Sequence, residues 1–401
     1  MSLILDSLLS LKQYCEREQF KGWDPYDGLN SKLFMSIPVL KNQGFYRLAV
    51  IQLFKRNPIN LRKLALVPKD YNAKGIGLLL QGYCNLYEAI SKKPELSKHF
   101  GTVDDIRSRI NELASLLISL KSVGDYHGAC WGYNFDWQAR LLFLFPKNTP
   151  TVVATCFCAT ALMSAYEITR NQEYLDIALS SAQFVINDLH RTKSGDGFLF
   201  SYSPLQGNDT VYNASLLGSK LLSYCYNYTG NEEYKNLARE SVVACCEGQQ
   251  DTGAWVYGKL PVQSWVDSFH TGYNLDALNA YQEMTGDTSF SDYLSRGLDY
   301  YLSNFFEEDG CPKYYDNKKY PIDIHCPAQL FVTLSRLGIL SNHSELVDNV
   351  ANWTINNMQS PKGYFYYQLK PGISSKISYM RWSNAFMFYA LTYLINGQNS
   401  N

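Results

Sequence analysis

The sequence predicts an all-α fold: an (α/α)6 toroid in which six inner and six outer helices surround a central funnel. Three observations carry that expectation. From residue 151 onward a unit of about 57 residues recurs, made of an apolar helix, a short polar turn, an amphipathic helix and a Gly/aromatic loop. The two helix types differ in kind. "VYNASLLGSKLLSYCYNYTG" and "ATCFCATALMSAYEIT" are apolar nearly all round, whereas "EEYKNLARESVVACC" and "ELVDNVANWTINNM" have one apolar stripe and one polar face. The first type belongs inside and the second against solvent. Finally, the count closes: inner helices are expected near residues 72, 153, 212, 268, 325 and 382 and outer ones near 102, 172, 232, 288 and 343. A helix at 3–18 or 43–54 supplies the sixth outer member by closing against the C-terminal inner helix.

Each element has a local reason. The apolar helices begin near Thr155, Asn213, Ser268, His325 and Trp382, at intervals of 58, 55, 57 and 57 residues. A period in this range with two helices per unit marks a repeat architecture rather than separate domains. The turns "TRNQEYLDIA", "TGNEEYKNLA" and "TGDTSFSDYL" each break one helix and start the next with a polar cap and acidic first turn. "SGDGFLFSY", "DTGAWVYG", "DGCPKYYD" and "KGYFYY" are the closing loops. An open solenoid would need a polar cap at its end, and "MRWSNAFMFYALTYLI" is too apolar to be one. The expected organisation is a single toroid domain over 1–401, with the closing helix and a possible lid loop in 1–71 and the helical hairpins in 72–401.

Composition bounds the chemistry. Hydrophobic residues are 46% and charged residues 18%, and the net charge is −1, so no broad basic field points to nucleic acid or an anionic surface. Thirty-one Tyr, 20 Phe and 7 Trp make the chain 14% aromatic, a composition suited to a large core or to stacking on sugar rings. Ten scattered cysteines without a CxxC pair fit reduced, buried thiols and a cytoplasmic location better than a disulfide framework. No apolar run is read as a membrane span, and no targeting segment as an N-terminal leader.

In such a ring the loops and the first inner turns converge at one end of the funnel. The residues expected there are Trp131, Tyr133, Asp136 and Trp137 from "CWGYNFDWQAR", and Tyr212 and Asn213 from "NDTVYNAS". "SWVDSFHTGYNLDAL" adds Trp265, Asp267, His270 and Tyr273, "YPIDIHCPAQ" adds Asp323, His325 and Gln329, and "MRWSNAF" adds Arg381 and Trp382. Carboxylates, imidazoles, an arginine and aromatics at one phase of a repeat point to a pocket. Asp267 could equally be a helix cap; yet Asp267 and His270 are three apart, so on a helix they share a face. Arg381 could neutralise Asp323 or Asp136 rather than clamp an anion. "KGWDPYDGLNSKLF", with Asp24 and Asp27, reads as a loop that folds over the mouth.

The architecture and these motifs resemble the six-hairpin glycosidase and N-acylglucosamine 2-epimerase group. "WVDSF" is similar to a segment of unsaturated glucuronyl hydrolases, which implies a catalytic Asp267. The epimerase resemblance implies a pair of inner-helix histidines, here His270 and His325. "GWDPYDGLNS", "CWGYNFDWQ" and "SFHTGYNLDAL" also resemble proteins of bacterial surface-polysaccharide loci, some carrying the label delta-aminolevulinic acid dehydratase. That label implies a β/α barrel, which this helical repeat excludes.

Four functions stay open. A hydrolase acting on an acidic or N-acetylated sugar would use Asp267 with Asp136 or Asp323 as acid and base, and Arg381 as a carboxylate clamp. An isomerase, epimerase or lyase would move a proton with His270 and His325 or Tyr273. A non-catalytic glycan-binding or assembly protein would use the same aromatic residues. A zinc toroid of lanthionine-cyclase type would need His325, Cys326, His270 and Cys130 as ligands. The expected partner is a sugar or oligosaccharide, with no cofactor, no nucleic acid and no membrane insertion.

Overall fold

A computed structural model describes residues 3–138 and 144–397. Among the described residues the six inner helices are Ala73–Lys92, Val152–Thr169, Tyr212–Thr229, Ser268–Thr285, His325–Arg336 and Phe386–Gly397. The six outer helices are Leu3–Arg17, Val103–Ser119, Gln172–Asn187, Glu232–Glu247, Ser291–Asn304 and Ser344–Met358. Each inner helix packs on the next, and Phe386–Gly397 returns to Ala73–Lys92, so the ring is closed. The chain is an (α/α)6 toroid. Of the two helices considered for the closing role, Leu3–Arg17 takes it, wedged against Ser344–Met358 and Phe386–Gly397.

Local chemistry sets the boundaries. Asn72, Thr151 and Asp267 cap inner helices by accepting the backbone N–H of Gly75, Ala154 and His270. Three inner helices end on a left-handed residue: Arg170 (φ 57°), Gly230 (φ 67°) and Gly286 (φ 71°). Asn171, Asn231 and Asp287 follow at once, accepting the N–H groups of Glu173, Glu233 and Ser289. One device, used three times, turns an inner helix into an outer one. Inner helices approach closely where Gly272 meets Gln329: a Cβ at Gly272 would lie 2.4 Å from Gln329 Cγ.

The inner helix Val152–Thr169 is 18 residues long with a mean hydropathy of 1.4, enough by length and composition to cross a membrane. That corrects the expectation that no run qualifies; the helix is instead an inner member of the ring, 61% buried. All ten cysteines are buried free thiols.

Short hairpins lead into the inner helices at one end of the ring. Ile322–Asp323 pairs with Tyr366–Leu369, which pairs with Ser375–Ser378. A wide π-type turn, Met380–Ala385, opens the last inner helix, a distortion that recurs at functional sites. The segment between Leu3–Arg17 and Ala73–Lys92 folds across this end. Gly22 bridges to Asp70, Trp23 bridges to Tyr379, and the helix Gly44–Arg56 lies over the 3-10 turn Asp27–Asn30. The "KGWDPYDGLNS" stretch therefore lies over this end as a lid, tied to the ring by Asp24 on Arg381, while Asp27 pairs with Arg62 inside the same segment.

Candidate active site

The helix starts at Ser268 and His325 bring two polar chains to the lidded end of the ring. In the first, Asp267 is buried and accepts three donors: the His270 backbone N–H at 3.0 Å, the His270 ring through Nδ1 at 2.7 Å, and Trp265 Nε1 at 2.9 Å. Cap and site are therefore one residue. The cap fixes where His270 begins its turn, and the second oxygen fixes the ring. With Nδ1 committed to Asp267, Nε2 is the nitrogen His270 presents, and its side chain is 20% exposed. Tyr257 and Trp265 stack at 4.6 Å beside it, with Tyr257 4.7 Å from the imidazole.

The second chain is buried. Lys74 Nζ lies 3.2 Å from Tyr273 Oη, and Tyr273 Oη lies 2.6 Å from His325 Nε2. Burial first, and the Arg381 guanidinium second, pull the Lys74 pKa well down. Burial, then Lys74 and Arg381, do the same to His325, while burial pushes the Tyr273 phenol well up. The neutral forms are favoured throughout. They are satisfied when Lys74 donates to Tyr273, Tyr273 donates to His325 Nε2, and His325 carries its proton on Nδ1. That Nδ1 has no hydrogen-bond partner among the described residues. Phe269 connects the two chains, with its ring 4.1 Å from His270 and 4.6 Å from His325.

Asp323 stands behind His325. Its Oδ1 accepts His325 N–H at 3.0 Å and Trp382 Nε1 at 2.8 Å, and its Oδ2 accepts Gln368 Nε2 at 2.6 Å. Complete burial outweighs these donors and pushes the carboxyl up to about 6 from 3.8. A raised acid pKa means the native state holds a proton that the unfolded chain has released. The stabilising contribution is full below 3.8 and is lost as pH rises through about 6. Urea unfolding of Asp323→Asn across that window should show a slope flatter than wild type by up to about 3 kcal/mol. Parallel profiles would mean that the carboxyl titrates normally.

Several expected residues have other duties. Arg381 pairs with neither Asp323 nor Asp136. It grips Asp24 of the lid through Nε–Oδ2 at 2.6 Å and Nη2–Oδ1 at 2.8 Å, over the Tyr133 ring. That pair occupies the guanidinium edge expected to clamp a substrate carboxylate. Trp131 is fully buried with its Nε1 on Leu117 O, a core residue rather than a sugar platform. Tyr212 packs its ring against Gly248 at the end of an outer helix, away from the funnel. Asp136 accepts Lys147 N–H across its own loop, and Trp137 stacks on Phe145 in that loop's hairpin. Tyr133 reaches Tyr202 Oη at 3.2 Å and lies parallel to Phe135. Gln329 and Asn213 are buried, each with a side-chain oxygen lacking a partner. Trp382 bridges Asp323 and the lid residue Tyr26, 5.9 Å away.

Aromatic rings and the lid thus cover much of the mouth. A cavity of about 200 Å³ lies further along the axis, bounded by Gly77, Gln81, Phe157, Lys220, Arg336 and Tyr389. Lys74 and Tyr257 were not anticipated, nor was Asp24 as the partner of Arg381. Lys74 obeys the same rule as the others, a polar residue in the first turn of an inner helix. Cys326 is buried beside His325, and among the described residues no group of three or more His, Cys, Asp or Glu could hold a metal.

No family model matches the chain, and no curated protein matches it by sequence. Solved structures do match by shape. An α-mannanase of glycoside hydrolase family 76 from Bacteroides thetaiotaomicron is 14% identical, with 81% of this chain and 86% of that chain covered at a TM-score of 0.60. The cellobiose 2-epimerase of Bacillus thermoamylovorans is 13% identical, covering 81% and 89% at 0.60. An unsaturated glucuronyl hydrolase specific for heparin is 10% identical, covering 98% and 96% at 0.60. By fold, the chain is an (α/α)6 toroid, the architecture it shares with these solved structures.

Proposed function

We propose that the protein is a carbohydrate-active enzyme that moves a proton beside the carbonyl of an open-chain sugar, as an epimerase or isomerase does. The observation that carries this reading is the pairing of an oriented, partly exposed imidazole, His270 on Asp267, with the buried chain Lys74–Tyr273–His325. His270 Nε2 takes the proton from the carbon next to the carbonyl, and Asp267 stabilises the imidazolium that results. The buried chain lends a proton to the developing oxyanion or returns one to carbon. Tyr257 and Trp265 supply the wall for the sugar. With Arg381 taken up by Asp24, an uncharged or N-acetylated sugar suits the site better than a uronate. The tie to surface-polysaccharide metabolism rests on the motif resemblance alone.

A two-carboxylate hydrolase is the second reading, favoured by the raised Asp323 pKa, which suits a general acid. Against it, Asp267 and Asp323 each already accept three donors. The experiment is incubation in D2O with aldoses, ketoses, N-acetylhexosamines and cellobiose, followed by mass spectrometry. Uptake of a single solvent deuteron at the carbon beside the carbonyl is expected, and His270→Ala should abolish it. New reducing ends without exchange would establish the hydrolase, and sugar binding with neither would establish a binding protein.

A further inference from the structure

The outer face of the lid has a character unlike the rest of the surface. Residues 28–69 hold eight Lys or Arg and no Asp or Glu, in a chain whose net charge is −1. Two of the eight have acidic partners outside the segment, Arg62 on Asp27 and Lys69 on Glu18. Of the other six, Arg47 donates to Gln138 Oε1 and Lys55 to Tyr26 Oη, which leaves Lys32, Lys41, Arg56 and Lys63 as the cations with no ion pair among the described residues.

The same segment carries ten of the sixteen exposed large hydrophobic residues among the described residues, including Val39 (72% exposed), Phe45 (77%) and Leu64 (79%). On the helix Gly44–Arg56, Ile51 and Phe54 face inward. Phe45, Ala49, Leu53 and Arg56 are exposed at spacings of four, four and three, so they form one outward stripe. A surface helix would ordinarily be polar there. The neighbouring pieces pack on it in turn: Pro38–Lys41 against Gly44–Arg56 and Lys32–Met35 against Pro38–Lys41, while Ser31 Oγ donates to Ala65 O at 2.7 Å and Lys32 N to Leu66 O at 3.5 Å. Contiguous apolar surface of this kind marks an interaction site.

We infer that this face docks on an anionic lipid surface, with its apolar residues in the headgroup–acyl boundary and its unpaired Lys and Arg among the lipid phosphates. Charge decides the occupant. A cationic rim around apolar side chains matches an anionic leaflet on both counts. A second copy across a two-fold axis would set the same cations against one another. A nucleic acid would leave Val39, Phe45 and Leu64 in water. The inference is independent of the proposed reaction, since it uses no residue of the Asp267–His270 or Lys74–Tyr273–His325 chains.

The test is co-sedimentation of the full chain with vesicles of phosphatidylcholine alone and of phosphatidylcholine mixed with phosphatidylglycerol. Binding to the mixed vesicles should exceed binding to the neutral ones by about tenfold or more, and should weaken with added salt. Lys32→Glu with Lys63→Glu should cost about fivefold per charge or more, and Phe45→Ser with Leu64→Ser should remove binding. All four positions are exposed, so helical circular dichroism should not change. Equal binding to both vesicles, or none to either, overturns the inference. So does gel filtration showing a dimer that Phe45→Ser dissociates, which would assign the face to self-association.

Discussion

Asp267→Asn is expected to lower turnover by about 10²–10⁴-fold at a cost of only about 1–3 kcal/mol in stability. The two effects separate because Asp267 does two things at once. As a cap it accepts His270 N–H, and asparagine caps as well as aspartate. As the partner of the His270 ring it accepts at Nδ1 while also accepting Trp265 Nε1. An amide placed there offers one acceptor atom where the carboxylate offers two, and its NH2 faces a donor. The ring then loses its fixed orientation and the negative charge that stabilises imidazolium, the kind of loss that costs general-base catalysis most of its advantage. The measurement is the rate of solvent-deuterium exchange into whichever sugar the wild type labels, alongside urea unfolding of both proteins. Unchanged exchange would reduce Asp267 to a cap and sink the proposed mechanism.

Asp276→Ala should be the most destabilising single change in the ring, by about 3–5 kcal/mol. Asp276 is buried between two cations on neighbouring inner helices: Lys220 Nζ reaches its Oδ2 at 2.5 Å, and Arg336 donates to its Oδ1. Burial alone would raise its pKa, but Arg336 and Lys220 hold it below the usual carboxylate range. Its contribution is therefore present above 3.8 and is lost as acid protonates the folded protein. Alanine leaves both cations without their buried counter-charge. Adding Lys220→Met should recover part of the loss, since it removes one stranded charge. Denaturant midpoints of wild type, single and double variants decide the matter. A loss below about 1 kcal/mol would mean that water already screens the cluster.

Particular residues show how far a sequence of this kind can be read. Periodicity and caps place helix starts, because hydrogen bonding to a cap is local chemistry. Asp267, His270, Tyr273, Asp323, His325, Arg381 and Trp382 all lie where the repeat phase put them. Rotation about a helix axis is harder to read, since one residue is 100° of turn. Tyr212 begins an inner helix yet points at Gly248 in the outer layer, and Trp131 turns into the core. Lys74, Lys220, Asp276 and Arg336 are charges set within inner helices, and nothing local in the sequence marks their partners.

What the amino-acid order determined by itself is the ring: its helix count, its alternation of inner and outer members, and the end at which polar residues gather. Those features follow from burial and capping, which act over a few turns of chain. The tertiary structure alone decided who meets whom. Asp24 and Arg381 are 357 residues apart and form one buried pair, Lys74 and Tyr273 are 199 apart, and Tyr273 and His325 are joined across two repeats. Such contacts depend on how the ring closes and how each helix is rotated, sums of many small packing energies that no short stretch of sequence contains.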